Sequence, residues 1–417
     1  MIVNLRNTNF KKNTHMLTLD KIYHASYVLK DVIRRTDLIH APQINQKATV
    51  YLKPENLQLT GSFKVRGSYY KISQLSAEEK AKGVIACSAG NHAQGVALAA
   101  TKNGIKSTIC LPDCAPISKV EATKRYGAEI CLVEGVYDDA YQKALQLRDE
   151  NGYTFIHPFD DVDVIAGQGT IGLELLNQLK DIDAVIVPIG GGGLISGVAF
   201  AIKSLNPNVK VYGVQSSGAP SMFNSIKNKK IERLAGVSTI ADGIAVKEPG
   251  QNTFSICSKY VDKIVTVTDD EVSSAILSMI EHQKLIAEGA GAVAVAAAMF
   301  NKVPIEGKNV VCLVSGGNID VTILDRVIKR GLLTAGRSYA LTIELLDKPG
   351  QLLQISKIIA EHGGNVISVH HERANASMDI NGCFLRINLE TRNFAQIDEI
   401  KDALLKAGFK ILENVKF

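Results

Sequence analysis

The segment from Leu59 to Gly67, "LTGSFKVRG", sets a lysine, Lys64, between an aromatic and a branched aliphatic residue. An ammonium bound for solvent needs no such flanks. Burial lowers the pKa of a lysine and frees an amine that can attack a carbonyl, so Phe63 and Val65 point to covalent chemistry at Lys64. The competing reading is a solvated lysine at a helix start, behind a capping Ser62. Three further segments suit a charged ligand. In "SAGNHAQG", Ser88, Ala89, Gly90, Asn91 and His92 fill a strand-to-helix turn, and N–H groups at a helix start attract carboxylate or phosphate. The alternative is a plain turn capped by Asn91, with His92 a hydrogen-bonded structural residue. In "GGGGL", Gly190, Gly191, Gly192 and Gly193, followed by Leu194, let the backbone curl so that several N–H groups converge on one anion. No lysine and hydroxyl follow as a G-x-x-x-x-G-K-[ST] loop requires. A dinucleotide site would want an acid about 20 residues further on, where this chain offers Gln215. In "VSGGNID", Ser315 stands at the tip of an apolar strand, or simply opens a turn before a helix cap.

These groups act together only if the chain brings their loops to one place. From residue 48 onward, short β-branched runs ("ATVYLKPE", "GVIAC", "KSTICLP", "AEICLVEG", "DAVIVPI", "KVYGVQSS", "NVVCLV") alternate with amphipathic, helix-like segments. That order is α/β: a mainly parallel sheet with helices on both faces. Such sheets bind ligands at the carboxyl ends of their strands, so the loops after residues 87, 188 and 314 are expected to form one site. The pattern changes after residue 335. "LLTAGRSY" reads as a linker, and residues 338–417 follow a βαββαβ order, which is ferredoxin-like.

Composition excludes several classes of function. With 47 basic and 42 acidic residues the net charge is +5, and no run of like charges offers a nucleic-acid face. The longest apolar run, "GAGAVAVAAAMF" from Gly289 to Phe300, falls short of the ~20 residues a membrane-spanning helix needs. The seven cysteines are odd in number and contain no C-x-x-C pair, which predicts buried free thiols in a reducing cytoplasm, with no metal site. The first sixteen residues hold Arg6, Lys11 and Lys12 and no acid, but lack an apolar core. Residues 1–18 are therefore expected to be a flexible tail, not a targeting peptide.

Taken together, a lysine, an asparagine turn, a glycine cup and a serine at a strand end are the parts needed to hold pyridoxal phosphate: amine for the aldehyde, cup for the phosphate, hydroxyl for the ring nitrogen. On "ENLQLTGSFKVRG", "SAGNHAQG", "GGGGLISG" and "SGGN", the chain resembles the threonine/serine dehydratases of the tryptophan-synthase-β (fold type II) class of pyridoxal-phosphate enzymes. The resemblance implies a catalytic domain over residues 19–335 that converts L-threonine, and L-serine as a possible second substrate, to a 2-oxo acid and ammonia. It implies that Lys64 joins the aldehyde, Phe63 packs beside the ring, Asn91 bonds the ring hydroxyl, Gly190 to Leu194 wrap the phosphate, and Ser315 meets the ring nitrogen. The turn from Ser88 to His92 would hold the substrate carboxylate, with Glu288 supporting the site from behind. Racemases of this class carry a serine at the place of Ala89, so little racemisation is expected.

Residues 338–417 resemble an ACT-like regulatory domain. That likeness implies an isoleucine or valine effector held by Asp347, Gly350, Gln351 and Leu352 with Asn365 and Val366, and feedback control of isoleucine formation in a homotetramer. A tail that only builds an oligomer is the alternative. His370 and His371 are neighbours on a strand and face opposite sides, which argues against a metal site made from the pair. Rival readings of the whole chain are a serine dehydratase or serine racemase, a β-replacement enzyme without a regulatory tail, a nucleotide-binding dehydrogenase, and a non-catalytic amino-acid sensor with a relic cofactor fold.

Overall fold

The computed structural model describes residues 16–115, 117–373 and 382–412, so most of the expected tail lies outside the described residues. The chain forms two compact units, residues 1–320 and 321–417. The helix Val321–Thr334, placed by the sequence reading in the first domain, groups with the second unit.

The first unit contains two sheets where one was expected. The larger runs in the order Ile39–His40, Thr49–Pro54, Asn309–Val314, Ala184–Pro188, Lys210–Ser216, Lys263–Val267; only its first pair is antiparallel. The smaller is parallel throughout, in the order Glu129–Val133, Ser107–Pro112, Val84–Cys87, Thr154–Phe155. Each strand–helix unit looks alike in sequence, and periodicity does not say which strands pair. The strands Ile39–His40 and Thr154–Phe155 were missed because two residues carry no period.

Burial explains the local patterns. Strands Val84–Cys87 and Ala184–Pro188 are buried at every position, which is why they read as unbroken apolar runs. The apolar run from Gly289 is a helix, Gly289–Met299, with buried residues all round, so it shows no amphipathic stripe. No helix among the described residues is long and apolar enough to cross a membrane. All seven cysteines are free; five are buried, Cys131 is half-buried and Cys114 is exposed.

The second unit adds an antiparallel sheet in the order Asn365–Glu372, Gly382–Glu390, Ser338–Leu346, Lys410–Leu412. With helices Gln351–Glu361 and Phe394–Lys406 it follows the βαββαβ order read from the sequence. Ile343, Ile355, Ile359, Ile387 and Leu404, each fully buried, form its core.

Candidate active site

A cavity of about 710 Å³ lies in the first unit. Phe63, Lys64, the turn Ser88–His92, Gly190 to Leu194, Glu288 and Ser315 all line it. The turn follows a strand of the small sheet, while the glycine cup and Ser315 follow strands of the large one. The three loops expected to converge therefore do so from two sheets.

Lys64 opens the helix Lys64–Ser73. Its Nζ donates to the Pro158 carbonyl at 2.9 Å and lies 5.3 Å from the centre of the Phe63 ring. Burial pulls its pKa down to about 8, against an opposing pull from Glu288. The segment before it is stitched to the loop after strand Asn309–Val314. Phe63 N–H donates to the Ser315 carbonyl at 3.1 Å, and Gly317 N–H to the Gly61 carbonyl at 2.9 Å. Thr60 sits in the left-handed region at φ 64°, a strained place for a β-branched residue. Asn318 Nδ2 holds it there by donating to the Thr60 carbonyl at 2.7 Å.

Asn318 also orients Asn91. It donates to Asn91 Oδ1 at 2.8 Å, and Asn91 Nδ2 in turn donates to Glu288 Oε1 at 2.6 Å. Burial, reinforced by Asp242, pushes the Glu288 carboxyl up to about 7, while the bond from Asn91 opposes this. A Cβ on Gly316 would stand 2.5 Å from Glu288 Oε1, so this glycine is required by close approach. His92 Nε2 lies 2.8 Å from the Ile156 carbonyl. A carbonyl only accepts, so Nε2 carries the proton and Nδ1, buried without a partner, keeps a lone pair. Burial, then the charge of Lys64, push the His92 pKa down to about 3.

The glycine cup ends strand Ala184–Pro188 and begins helix Gly193–Leu205. Gly192 has φ 99°, and a Cβ on Gly191 would sit 2.5 Å from the Phe159 ring. Thr253 Oγ1 fixes the curl by donating to the Gly191 carbonyl at 2.6 Å. Ser315 is buried, and its Oγ donates to the Ala290 carbonyl at 3.3 Å.

Several residues of this site were not singled out from the sequence: Asn318, Asp242, and the loop "HPFDD", His157 to Asp161. His157 Nδ1 accepts the N–H groups of Phe159 and Asp160. Asp160 accepts those of Gln251 and Thr253, and Asp161 caps helix Val162–Gln178. A proline-broken cluster of His and Asp ahead of an apolar helix was the available signal. At the rim, Lys119 pairs with Asp242 at 2.7 Å.

In the second unit, Asp347, Gly350, Gln351 and Leu352 line a smaller cavity of about 280 Å³. Asn365 and Val366 do not. Strand Ser338–Leu346 pairs Ser338 with Glu390, and Glu390 also pairs with Asn365, so Asn365 lies at the opposite end of the sheet from Asp347. The expected effector set is thus split within one chain.

The family described as "Pyridoxal-phosphate dependent enzyme" matches residues 29–316, which takes in every loop of the larger cavity. The chain belongs to this family. It is 48% identical over 398 residues to the L-threonine ammonia-lyase of Thermotoga maritima, covering 95% of this chain and 99% of that one. Among solved structures it is similar to the processed form of threonine deaminase isoform 2 from Solanum lycopersicum, with 39% identity and a TM-score of 0.71, covering 75% of this chain and 89% of that one. It is also similar to maize serine racemase, with 35% identity and a TM-score of 0.72, covering 76% of this chain and 98% of that one. The mixed α/β first unit is the catalytic fold of this family. The cavity suits the cofactor: a half-buried amine of lowered pKa faces it, and a helix starts at the glycine cup, where the first N–H groups have no intrahelical acceptor.

Proposed function

We propose that this pyridoxal-phosphate enzyme is an L-threonine ammonia-lyase, which removes the β-hydroxyl and the amine to give 2-oxobutanoate and ammonia. One observation carries the reading: Lys64 Nζ, half-buried and pulled to about 8, faces a cavity that also presents a glycine cup and the Asn91–Glu288 pair. When bound, the cofactor supplies an aldehyde for amine capture and a ring that accepts the electron pair left at Cα. Lys64 would hold the cofactor through its aldehyde, and its free amine would serve as the base at the substrate Cα. With a pKa near 8, roughly a tenth of such an amine is neutral at pH 7. Gly190 to Leu194 would hold the phosphate, Asn91 the ring hydroxyl, and Phe63 would pack beside the ring. The turn Ser88–His92 holds the substrate carboxylate.

Ser315 favours elimination. A neutral Ser315 hydroxyl facing the ring nitrogen would make the cofactor a shallower electron sink than a carboxylate there would, which would favour loss of the leaving group. Ala89 offers no proton on its face of the cavity, which disfavours reprotonation to a D-amino acid. The substrate reading draws on the Thermotoga relative, whose match extends through most of the second unit. In this reading the second unit is an ACT-type regulatory domain. Its 280 Å³ cavity at Asp347, Gly350, Gln351 and Leu352 takes isoleucine or valine, and the enzyme works as a cytoplasmic homotetramer at the first step of isoleucine formation.

The test is 2-oxobutanoate release from L-threonine by the purified protein, with and without isoleucine, with Lys64→Ala as control. Turnover that the variant loses supports the catalytic reading, and inhibition by isoleucine supports the regulatory one. Turnover retained by Lys64→Ala, or abundant D-serine formed from L-serine, overturns the corresponding assignment.

A further inference from the structure

The second unit holds a cluster that the catalytic reading does not use and that shares only Asp347 with the effector reading. Asp347, His371 and Cys383 come from the ends of three different segments, yet their ligand atoms all lie within 4.8 Å of one another. Sheet register explains the meeting. Cys383 pairs with Leu345 on one side, and Leu385, two residues on, pairs with His371 on the other. Side chains two apart share a face, so Asp347, Cys383 and His371 all belong to the helix-covered side. There they gather beneath the turn that opens helix Gln351–Glu361.

We propose that Asp347, His371 and Cys383 form a binding site for a divalent transition-metal ion of the zinc class, with an open position toward the 280 Å³ cavity. The donor set is the mixed nitrogen, sulfur and oxygen set that such ions take, and three protein ligands plus one open position is an established arrangement. His371 Nε2 stands 2.9 Å from Cys383 Sγ and 3.9 Å from Asp347 Oδ1. A tetrahedral ion with bonds of about 2.0–2.3 Å spaces its ligand atoms about 3.3–3.6 Å apart, so shifts of about 1 Å complete the site. Arg373 supports it from outside: its Nε bonds Asp347 Oδ2 at 3.0 Å and leaves Oδ1 toward His371. Asp347 and His371 line the cavity, which gives the ion an entry path.

Binding exchanges one proton. A free cysteine thiol, with an ordinary pKa of about 8.5, is protonated at neutral pH. The incoming ion takes the sulfur lone pair, the S–H bond breaks, and the proton leaves to solvent. His371 binds as the neutral ring and Asp347 as the carboxylate. The inference does not depend on the effector reading, because the probe is the metal alone.

The experiment uses the full-length holoenzyme stripped of metal, titrated with Zn²⁺ by calorimetry in two buffers of different ionisation enthalpy. Parallel titration with Co²⁺ reads the thiolate-to-cobalt charge-transfer band. The expected result is one ion per chain, about one proton released per ion, and a sulfur band. Cys383→Ser should remove that band and Cys114→Ser, at the exposed thiol, should keep it. His371→Gln and Asp347→Asn should bind the ion weakly or not at all, and Arg373→Gln should lose about 10–100-fold in affinity. Circular dichroism on every variant separates lost binding from lost folding, and the polar-for-polar changes at His371 and Asp347 guard against an unfolded Cys383→Ser. No saturable binding, or binding that folded His371→Gln and Asp347→Asn retain at full strength, overturns the site.

Discussion

Arg66, two residues past Lys64, offers a demanding test of how the site is held. Its guanidinium is fully buried and bonds both oxygens of Glu55, at 2.8 and 2.9 Å, and both oxygens of Glu174, at 2.5 and 3.1 Å. Glu174 is about a quarter exposed at its side chain and keeps Lys53 at 2.5 Å if Arg66 is lost. Glu55 has no exposure, and besides Arg66 it is bonded by the Thr36 hydroxyl, which donates at 2.6 Å. Arg66→Met therefore strips two charge-assisted bonds from a carboxylate that water does not reach. Leaving one member of a buried pair uncompensated costs about 3–5 kcal/mol, a large part of the roughly 5–15 kcal/mol that holds a domain folded. Replacing both partners, Arg66→Met with Glu55→Leu, leaves no stranded charge, and such exchanges are often neutral within a few kcal/mol. Urea unfolding of the holoenzyme, followed by cofactor absorbance and circular dichroism, reads both variants. A single variant that loses less than about 1 kcal/mol, or a double variant less stable than the single, refutes the reasoning about where the charge is stranded.

The carboxylate of Glu288 raises the Lys64 pKa, so Glu288→Gln should shift the pH profile of cofactor capture by the apoenzyme to lower pH; the wild type should be half-maximal near 8, because only the neutral amine reacts. His92 is held near 3 when folded and titrates near 6.5 when unfolded, so its contribution is present above 6.5 and is lost as pH falls below it. At pH 5 that amounts to about 2 kcal/mol, and His92→Asn should flatten the slope measured by denaturation across that range. Gly191→Ala drives a methyl into the Phe159 ring and should weaken cofactor binding about tenfold or more in an equilibrium titration, with overpacking costs of about 1–3 kcal/mol as the source.

Much of the larger site was legible in the chain because its parts are local. Lys64, Asn91, the glycine cup and Ser315 each lie where a strand or turn meets a helix, and that junction shows in a window of ten residues. What escaped is non-local. Nothing in the period of "GVIAC" says that it pairs with "STICLP" and not with "AVIVP". Asn318 and Asp242 act through contacts 227 residues along the chain in one case and through space alone in the other. The same holds in the second unit, where neighbouring histidines were judged as a pair. The strand separates them, and it is register with Cys383 and the position of Asp347 that gives His371 its company.

The two halves of "KVRG" show how a buried charge and an amine of lowered pKa coexist two residues apart. Lys64 is useful only if burial outweighs any compensating negative charge, and its one opposing influence is Glu288. Glu288 is itself pushed toward the neutral form by burial and Asp242, which limits how far it can restore the ammonium. Glu55 and Glu174 are paired with Arg66 and Lys53 and do not act on Lys64. The closed cluster around Arg66 anchors the helix that Lys64 begins, and Lys64 is left to burial and Glu288 alone.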